Sequence, residues 1–200
     1  VLHINKKSFL QKPLNFDGIL GQDIISEWVW KFDLINRKAY VAKSMKHFKD
    51  NRKGIPFIQK GSQIFIQVEL EGIKKYVTVD TGFGGYISLG KYASDSIFYK
   101  MNDLIFWEGI STRQMGNPFL ASNNSMQIDS TYYFTGELKV GEDELHNEIF
   151  ELRNSPFSII GMDFFSRFDH FIMDYPNKKL YLGGEQYKSI KFIIYSLIRL

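Results

Sequence analysis

Apolar and polar residues alternate along much of this chain in short runs, a pattern typical of β-strands. Two clear runs are Ile64–Leu70 and Tyr76–Val79, and a Glu71-Gly72 turn lies between them. They predict a hairpin whose second strand ends at Asp80. Four further runs predict strands at residues 104–107, 126–129, 132–140 and 145–153. The chain is therefore expected to be an all-β protein.

Three stretches have less regular patterns. Residues 1–14 predict a strand followed by a loop, and residues 91–100 are compatible with a short helix. Residues 108–118 are polar and contain glycine, which predicts a loop. Two interpretations of that loop stay open: a flap over a cleft, or an ordinary surface loop.

The composition narrows the classes of function. Aromatic residues are abundant, with 18 Phe and 11 Tyr, which favours sheet packing. The net charge of +3 is scattered along the chain, so we expect no nucleic-acid partner. The chain has no cysteine, and its four histidines lack metal-ligand spacing, so we expect no disulfide, metal or cofactor. No run of about 18 apolar residues is present, so no membrane span is expected.

Two parts of the chain repeat each other. Ile19-Leu20-Gly21-Gln22-Asp23 corresponds to Ile159-Ile160-Gly161-Met162-Asp163, and the predicted hairpin at residues 33–41 corresponds to residues 174–182. From the glycine to the first residue of the hairpin, the spacing is 12 residues in the first copy and 13 in the second. An internal repeat explains an agreement over more than twenty positions better than chance does.

Four acids of the repeat have structural interpretations. Asp23 and Asp163 are predicted helix N-caps, because each follows a glycine and precedes an apolar run. Asp33 and Asp174 flank the predicted hairpin turns.

The stretch between the two copies contains one candidate boundary. Residues 43–56 are rich in Lys and Arg and poor in apolar residues, which favours a solvated linker over a basic patch for a partner. The predicted units are therefore residues 1–42, the linker 43–56, and residues 57–200.

The residues Asp80, Thr81 and Gly82 are the candidate functional site. An acid that ends a buried strand needs a compensating partner or a function, although Asp-Thr-Gly is also good turn chemistry. A glycine at this point allows a positive φ, or the close approach of another group.

Together these motifs resemble the aspartic proteases of the pepsin and retropepsin type, and look most like bacterial retropepsin-like proteins. Val79-Asp80-Thr81-Gly82 matches the Asp-Thr/Ser-Gly loop of that family. Ile159-Ile160-Gly161 matches the strand that packs beneath the loop, and Gly161 lies 81 residues after Asp80, a spacing that suits one lobe. The resemblance implies an acid-protease β-barrel lobe at residues 57–200, and makes residues 1–42 the C-terminal part of a preceding similar lobe.

The resemblance also implies a chemistry. Asp80 would share one proton with a second Asp and activate a water against a peptide or protein substrate, Thr81 would brace the loop, and Gly82 would allow tight packing. The first copy of the repeat has no Asp-Thr-Gly ahead of it, so the second Asp is expected from a missing first lobe or from a partner chain.

A catalytically inactive protein of the same fold, which binds peptides or a protein partner, is the alternative. The localisation stays open: a periplasmic, cell-envelope or secreted protein is weakly favoured over a cytoplasmic one.

Overall fold

The computed structural model describes residues 20–90, 105–115, 125–153 and 155–184, except the side chains of residues 105–115 and 125–131. The predictions for residues 1–14 and 91–100 lie outside these ranges. The described residues form strands β1 to β12, two short helices α1 and α2, and one 3₁₀ turn. In chain order they are α1 Gln22–Ile25, β1 Val29–Asp33, β2 Lys38–Ala42, the 3₁₀ turn Met45–His47, β3 Ile55–Lys60, β4 Gln63–Leu70, β5 Ile73–Val79, β6 Ile87–Gly90, β7 Ile105–Met115, β8 Ser125–Val140, β9 Asp143–Arg153, β10 Ile159–Ile160, α2 Met162–Phe165, β11 His170–Asp174 and β12 Lys179–Gly183.

Six strands close into a barrel. Their order is β4-β5-β10-β6-β9-β8, and β8 pairs again with β4 to complete the circle. The alternating burial along β4 directs every second side chain inward, as the sequence pattern predicts. Phe134 and Phe150 stack in the interior with ring centroids 5.0 Å apart. Each such buried side chain stabilises the fold by about 1.5–3 kcal/mol relative to an exposed one.

The two copies of the repeat pair with each other. Strands β2-β1-β11-β12 form one antiparallel sheet, so the two predicted hairpins are confirmed and lie side by side. Val29 pairs with Asp174 and Asp33 pairs with His170, while Lys31 pairs with Ile172 at the centre. Because Asp33 corresponds to Asp174 and Val29 to His170, exchanging the two copies converts the first pair into the second. The repeat is therefore related by a local two-fold axis near the central pair.

The predicted linker is largely ordered against the second copy. Ile55 and Pro56 already belong to β3, which pairs with β12 and joins the repeat sheet to the barrel. The Arg52 guanidinium donates to the carbonyl oxygens of Leu182 and Gly184. Asn51, Arg52 and Lys53 are nevertheless exposed. The division into residues 1–42, 43–56 and 57–200 stays a prediction.

Two sequence-based predictions about strands and loops were wrong in detail. Residues 108–115, predicted as loop, belong to β7, and the predicted strands at 126–129 and 132–140 are one continuous strand, β8. Strands β7 and β8 pair with each other throughout β7, with one irregularity. This pairing satisfies the backbone hydrogen-bonding groups whatever the polarity of the side chains, which is why local composition misled the prediction.

The predicted N-caps were also wrong. Gly21 and Gly161 are the N-cap residues of α1 and α2, and neither makes a side-chain capping bond. Asp23 and Asp163 lie in the first turn instead, where a negative charge still interacts favourably with the free N–H groups.

Candidate active site

Asp80 is the first residue after β5 and begins a loop that we call the Asp80 loop, residues 80–86. Its backbone N–H donates to the Ile160 carbonyl at 3.0 Å, and its side-chain Oδ1 accepts from the Gly82 N–H at 2.9 Å. The Phe83 N–H donates back to the Asp80 carbonyl at 3.1 Å. These bonds hold the carboxylate in one orientation while it stays exposed.

The strand β10 lies directly beneath this loop, as the sequence predicted. It runs parallel to β5, with Ile160 opposite Val79, and antiparallel to β6. The Gly161 N–H donates to the Tyr86 carbonyl at 2.9 Å. A Cβ on Gly161 would lie 2.3 Å from the Gly85 carbonyl oxygen and 2.5 Å from that of Phe83. Glycine is required here because the loop backbone occupies the space of a side chain.

The other two predicted site residues lie on the same exposed loop. Gly82 is not among the residues with positive φ; a Cβ there would stand 3.2 Å from Asp80 Oδ1. Glycine is favoured at position 82 because the Asp80 carboxylate lies close to it, and not because the backbone is left-handed. Thr81 is exposed, and within the described part of the chain no hydrogen bond involves its hydroxyl.

A cavity of about 330 Å³ opens beside Asp80 and Thr81. Its lining also includes Leu20, Gln22 and Ile25 from the first repeat copy. The remaining lining is mostly apolar and comes from the repeat sheet and from strands β4 and β5: Trp30, Phe32, Ser62, Ile64, Val79, Phe171, Met173 and Tyr175. Among the described residues that line the cavity, Asp80 is the one carboxylate.

The segment before Gly161 and its counterpart before Gly21 differ in what covers them. Ile160 is fully buried, whereas its counterpart Leu20 is 55% exposed. A Cβ on Gly21 would meet only the carboxylate of Asp23, while Gly161 is covered by loop backbone. In the described residues, the first copy therefore repeats the helix and its preceding glycine, and no Asp loop packs on Gly21.

The acids at the hairpin turns have structural roles, as predicted. Asp33 accepts from the backbone N–H of Asn36 at 2.8 Å and from its side chain at 2.9 Å. Asn177 donates to Asp174 in the same way. The side-chain bond from Asn36, followed by the backbone bond, lowers the pKa of the Asp33 carboxyl below its ordinary value.

One polar cluster was missed by the sequence analysis. Tyr86, Glu148 and Arg167 meet in the interior between the Asp80 loop and the barrel. They lie far apart in sequence and form no motif, so no local signal could have identified them.

Neither a metal site nor a membrane helix is found in the described ranges. No three His, Cys, Asp or Glu side chains there are grouped so that they could hold a metal ion. No helix in the same ranges has the length and apolar content needed to cross a membrane.

Comparison with known proteins gives structural matches alone. No model of a protein family matches the chain. No curated protein matches it either. A retropepsin-like aspartic protease from Rickettsia conorii is similar in structure, with a TM-score of 0.45 and 19% identity over 64% of this chain and 96% of that one. The EIAV protease complexed with the inhibitor HBY-793 is also similar, with a TM-score of 0.32 and 14% identity over 57% of this chain and 88% of that one.

The class of protein is defined by this chain's own geometry. A closed six-stranded barrel carries an Asp-Thr-Gly loop, and a strand ending in glycine supports that loop from below. These features make it an all-β protein with a retropepsin-like fold.

Proposed function

We propose that this chain is part of an aspartic endopeptidase in which Asp80 is one of two catalytic carboxylates. The second carboxylate comes from an equivalent loop, supplied either by a first lobe or by a partner chain. The observation that carries the proposal is the cavity that is lined by both Asp80 and the exposed Leu20 of the first repeat copy.

The local two-fold axis supports a position for that second loop. The Asp80 loop packs on Ile160 and Gly161, and the sequence repeat makes Leu20 and Gly21 the counterparts of these two residues. A loop seated on the first copy in the same way would enter the cavity from the side opposite Asp80. Two carboxylates would then face each other across one water molecule.

Two carboxylates held that close cannot both ionise, so they share one proton. The ionised member takes a proton from the water, and the protonated member donates to the scissile carbonyl of the peptide. In this proposal Asp80 supplies one carboxylate, Gly82 orients it through its N–H, and Thr81 braces the loop against its counterpart. A single Asp80 without its partner would hydrolyse peptides negligibly.

The test is Asp80→Asn, measured as peptide hydrolysis at acidic to neutral pH by the assembled protein. Asn keeps an oxygen that can accept from Gly82, and the site is exposed, so the fold and Tm should not change. Loss of acid–base chemistry should lower kcat by at least about 100-fold.

Asp163→Asn is the matched control, because it removes the same charge from another exposed residue close to the Asp80 loop. Its activity should equal that of the wild type. Full activity of Asp80→Asn would overturn the assignment.

The alternative function is peptide or protein binding by an inactive protein of this fold. It is favoured by the presence of one carboxylate among the described residues that line the cavity. A wild-type protein that binds peptides without cleaving them, and that binds equally well as Asp80→Asn, would support this alternative.

A further inference from the structure

The buried cluster of Tyr86, Glu148 and Arg167 lies behind the proposed active site. Arg167 Nη1 donates to the Tyr86 hydroxyl at 2.7 Å and also pairs with Glu148 Oε2. The Tyr86 hydroxyl in turn donates to the same carboxylate oxygen. Glu148 is 1% exposed and Arg167 is 8% exposed, so both charges are removed from water.

Each member of the cluster belongs to a different element around the Asp80 loop. Tyr86 is the last residue of that loop, Glu148 lies on β9 of the barrel wall, and Arg167 follows α2. The Tyr86 ring also packs on Phe164 of α2, with centroids 5.6 Å apart. The cluster therefore joins the loop, the helix and the barrel at one point.

The backbone contacts made by these elements are the ones that hold the loop in place. The Met162 N–H at the start of α2 donates to the Phe83 carbonyl at 2.7 Å, and the Gly161 N–H donates to the backbone carbonyl of Tyr86. Any shift of α2 against the barrel would break these bonds and displace Asp80, whose own N–H is bonded to Ile160.

The chemistry of the cluster suits positioning of the neighbouring elements better than stabilisation of the fold. A buried ion pair is commonly no more stabilising than apolar side chains of the same volume, because both ions lose their hydration. Glu148 Oε1 has no hydrogen-bond partner among the described residues, which adds to that cost. Burial raises the pKa of the Tyr86 phenol well above its ordinary value, and the Glu148 carboxylate raises it further, so the hydroxyl stays protonated and donates.

We propose that Tyr86, Glu148 and Arg167 are positioning residues that fix the Asp80 loop and α2 in the arrangement required for catalysis. The catalytic part of this inference rests on the function proposed above. The positioning part concerns the loop itself and can be measured without any activity.

Amide hydrogen exchange of Tyr86→Phe is the first test. Phe keeps the packing on Phe164 and the Arg167–Glu148 pair, and removes only the hydroxyl. The amides of Gly161 and Met162 should exchange at least 10-fold faster than in the wild type, while those of Ile66 and Val77 in the barrel keep their rates. Tyr76→Phe is the control, because it removes a hydroxyl from a tyrosine that is 54% exposed, and it should change none of these rates.

Wild-type exchange at Gly161 and Met162 in Tyr86→Phe would overturn the proposal. Equal acceleration at all four amides would also overturn it, because that result indicates general destabilisation.

The triple variant Tyr86→Phe/Glu148→Leu/Arg167→Met separates positioning from stability. It removes both buried charges together with the hydroxyl bonded to them and approximately keeps the volume, so the Tm should stay near that of the wild type. The loop amides should nevertheless exchange at least 10-fold faster. Wild-type protection in this variant would refute a positioning role.

Activity provides an independent measurement. In an active protein, Tyr86→Phe should lower kcat about 10-fold with little change in KM, because the loop position affects the reacting carboxylate more than substrate binding. If the wild-type assembly cleaves no peptide, the proposed function fails, and the exchange rates alone decide the positioning role.

Discussion

At the scale of single residues, equivalent acids of the two repeat copies make the same hydrogen bonds in different surroundings. Asp33 and Asp174 both accept hydrogen bonds from the asparagine three residues later. Asp174 is almost fully buried, whereas the bonds of Asp33 are exposed to solvent. Arg37 and Lys178 adopt the same positive φ, 54° and 52°, in the two turns. The turn geometry follows from local sequence, and the burial follows from what packs on each copy.

The lowered pKa of Asp33 gives a direct prediction. Asn36→Ala removes the side-chain bond that is the largest cause of the shift, so the pKa should rise toward the ordinary value. Because the folded-state pKa is lowered, this carboxylate stabilises the fold above its unfolded pKa, and that stabilisation is lost as the pH falls through the folded pKa. An NMR titration of the Asp33 carboxyl carbon measures the change. Asn51→Ala, at an exposed site elsewhere, should leave the Asp33 pKa unaltered, and an unchanged pKa in Asn36→Ala would contradict the assigned cause.

At the scale of elements, one short helix and the glycine before it occur twice but are packed differently. Gly161 lies under the backbone of the Asp80 loop, and Gly21 has only the Asp23 side chain nearby. Both glycines have a negative, extended backbone conformation that alanine also adopts. Their tolerance of a side chain is therefore decided by packing alone.

Alanine at the two positions should have unequal effects. Gly161→Ala places a methyl group against two carbonyl oxygens, and should lower the free energy of unfolding by about 3 kcal/mol. For a chain of this size that corresponds to a fall in Tm of roughly 6–12 °C. Gly21→Ala needs only a movement of the flexible Asp23 side chain, and should change the stability by less than about 1 kcal/mol. Equal Tm values for the two variants would show that the loop does not pack on Gly161 as described.

At the scale of the whole molecule, the first repeat copy presents an apolar face that the second copy buries. Leu20, Ile24 and Val41 are exposed, whereas their counterparts Ile160, Phe164 and Leu182 are buried in the main hydrophobic core. The two-fold relation between the copies indicates that the exposed face suits a second barrel of the same kind. This is the surface on which the proposed second lobe would pack.

A charge placed on that face should prevent the packing. Val41→Lys alters an exposed position on β2, so the described fold should keep its Tm. Peptide hydrolysis should fall at least about 10-fold, because an unpaired buried charge costs several kcal/mol at an interface. If the second barrel comes from another chain, the mass in solution measured by sedimentation should fall as well.

Ile58→Lys is the control for this experiment, since Ile58 is an exposed apolar residue of β3 outside the face. It should keep both activity and assembly. Full activity of the Val41→Lys variant would remove this surface from the proposed active assembly.

The local features of this protein could be predicted from its sequence because they depend on near neighbours in the chain. Alternation of apolar residues predicted the strands β4 and β5, and turn chemistry predicted the hairpins of the repeat. The loop that begins at Asp80 and the strand that ends at Gly161 could also be recognised, since each is a short contiguous motif. The pairing between them, 81 residues apart, was predicted only through the family resemblance.

The remaining features were decided by tertiary structure, because they depend on groups distant in sequence. Pairing with β8 made β7 a strand where polar composition had predicted a loop. The two-fold register of β1 and β11, and the cavity between Asp80 and Leu20, arise only when the two repeat copies meet. The buried cluster of Tyr86, Glu148 and Arg167 has no periodicity or motif, since its members are brought together by the closure of the barrel. By itself, the sequence determined where an acid would stand on the loop; the fold decided what faces it and what holds it.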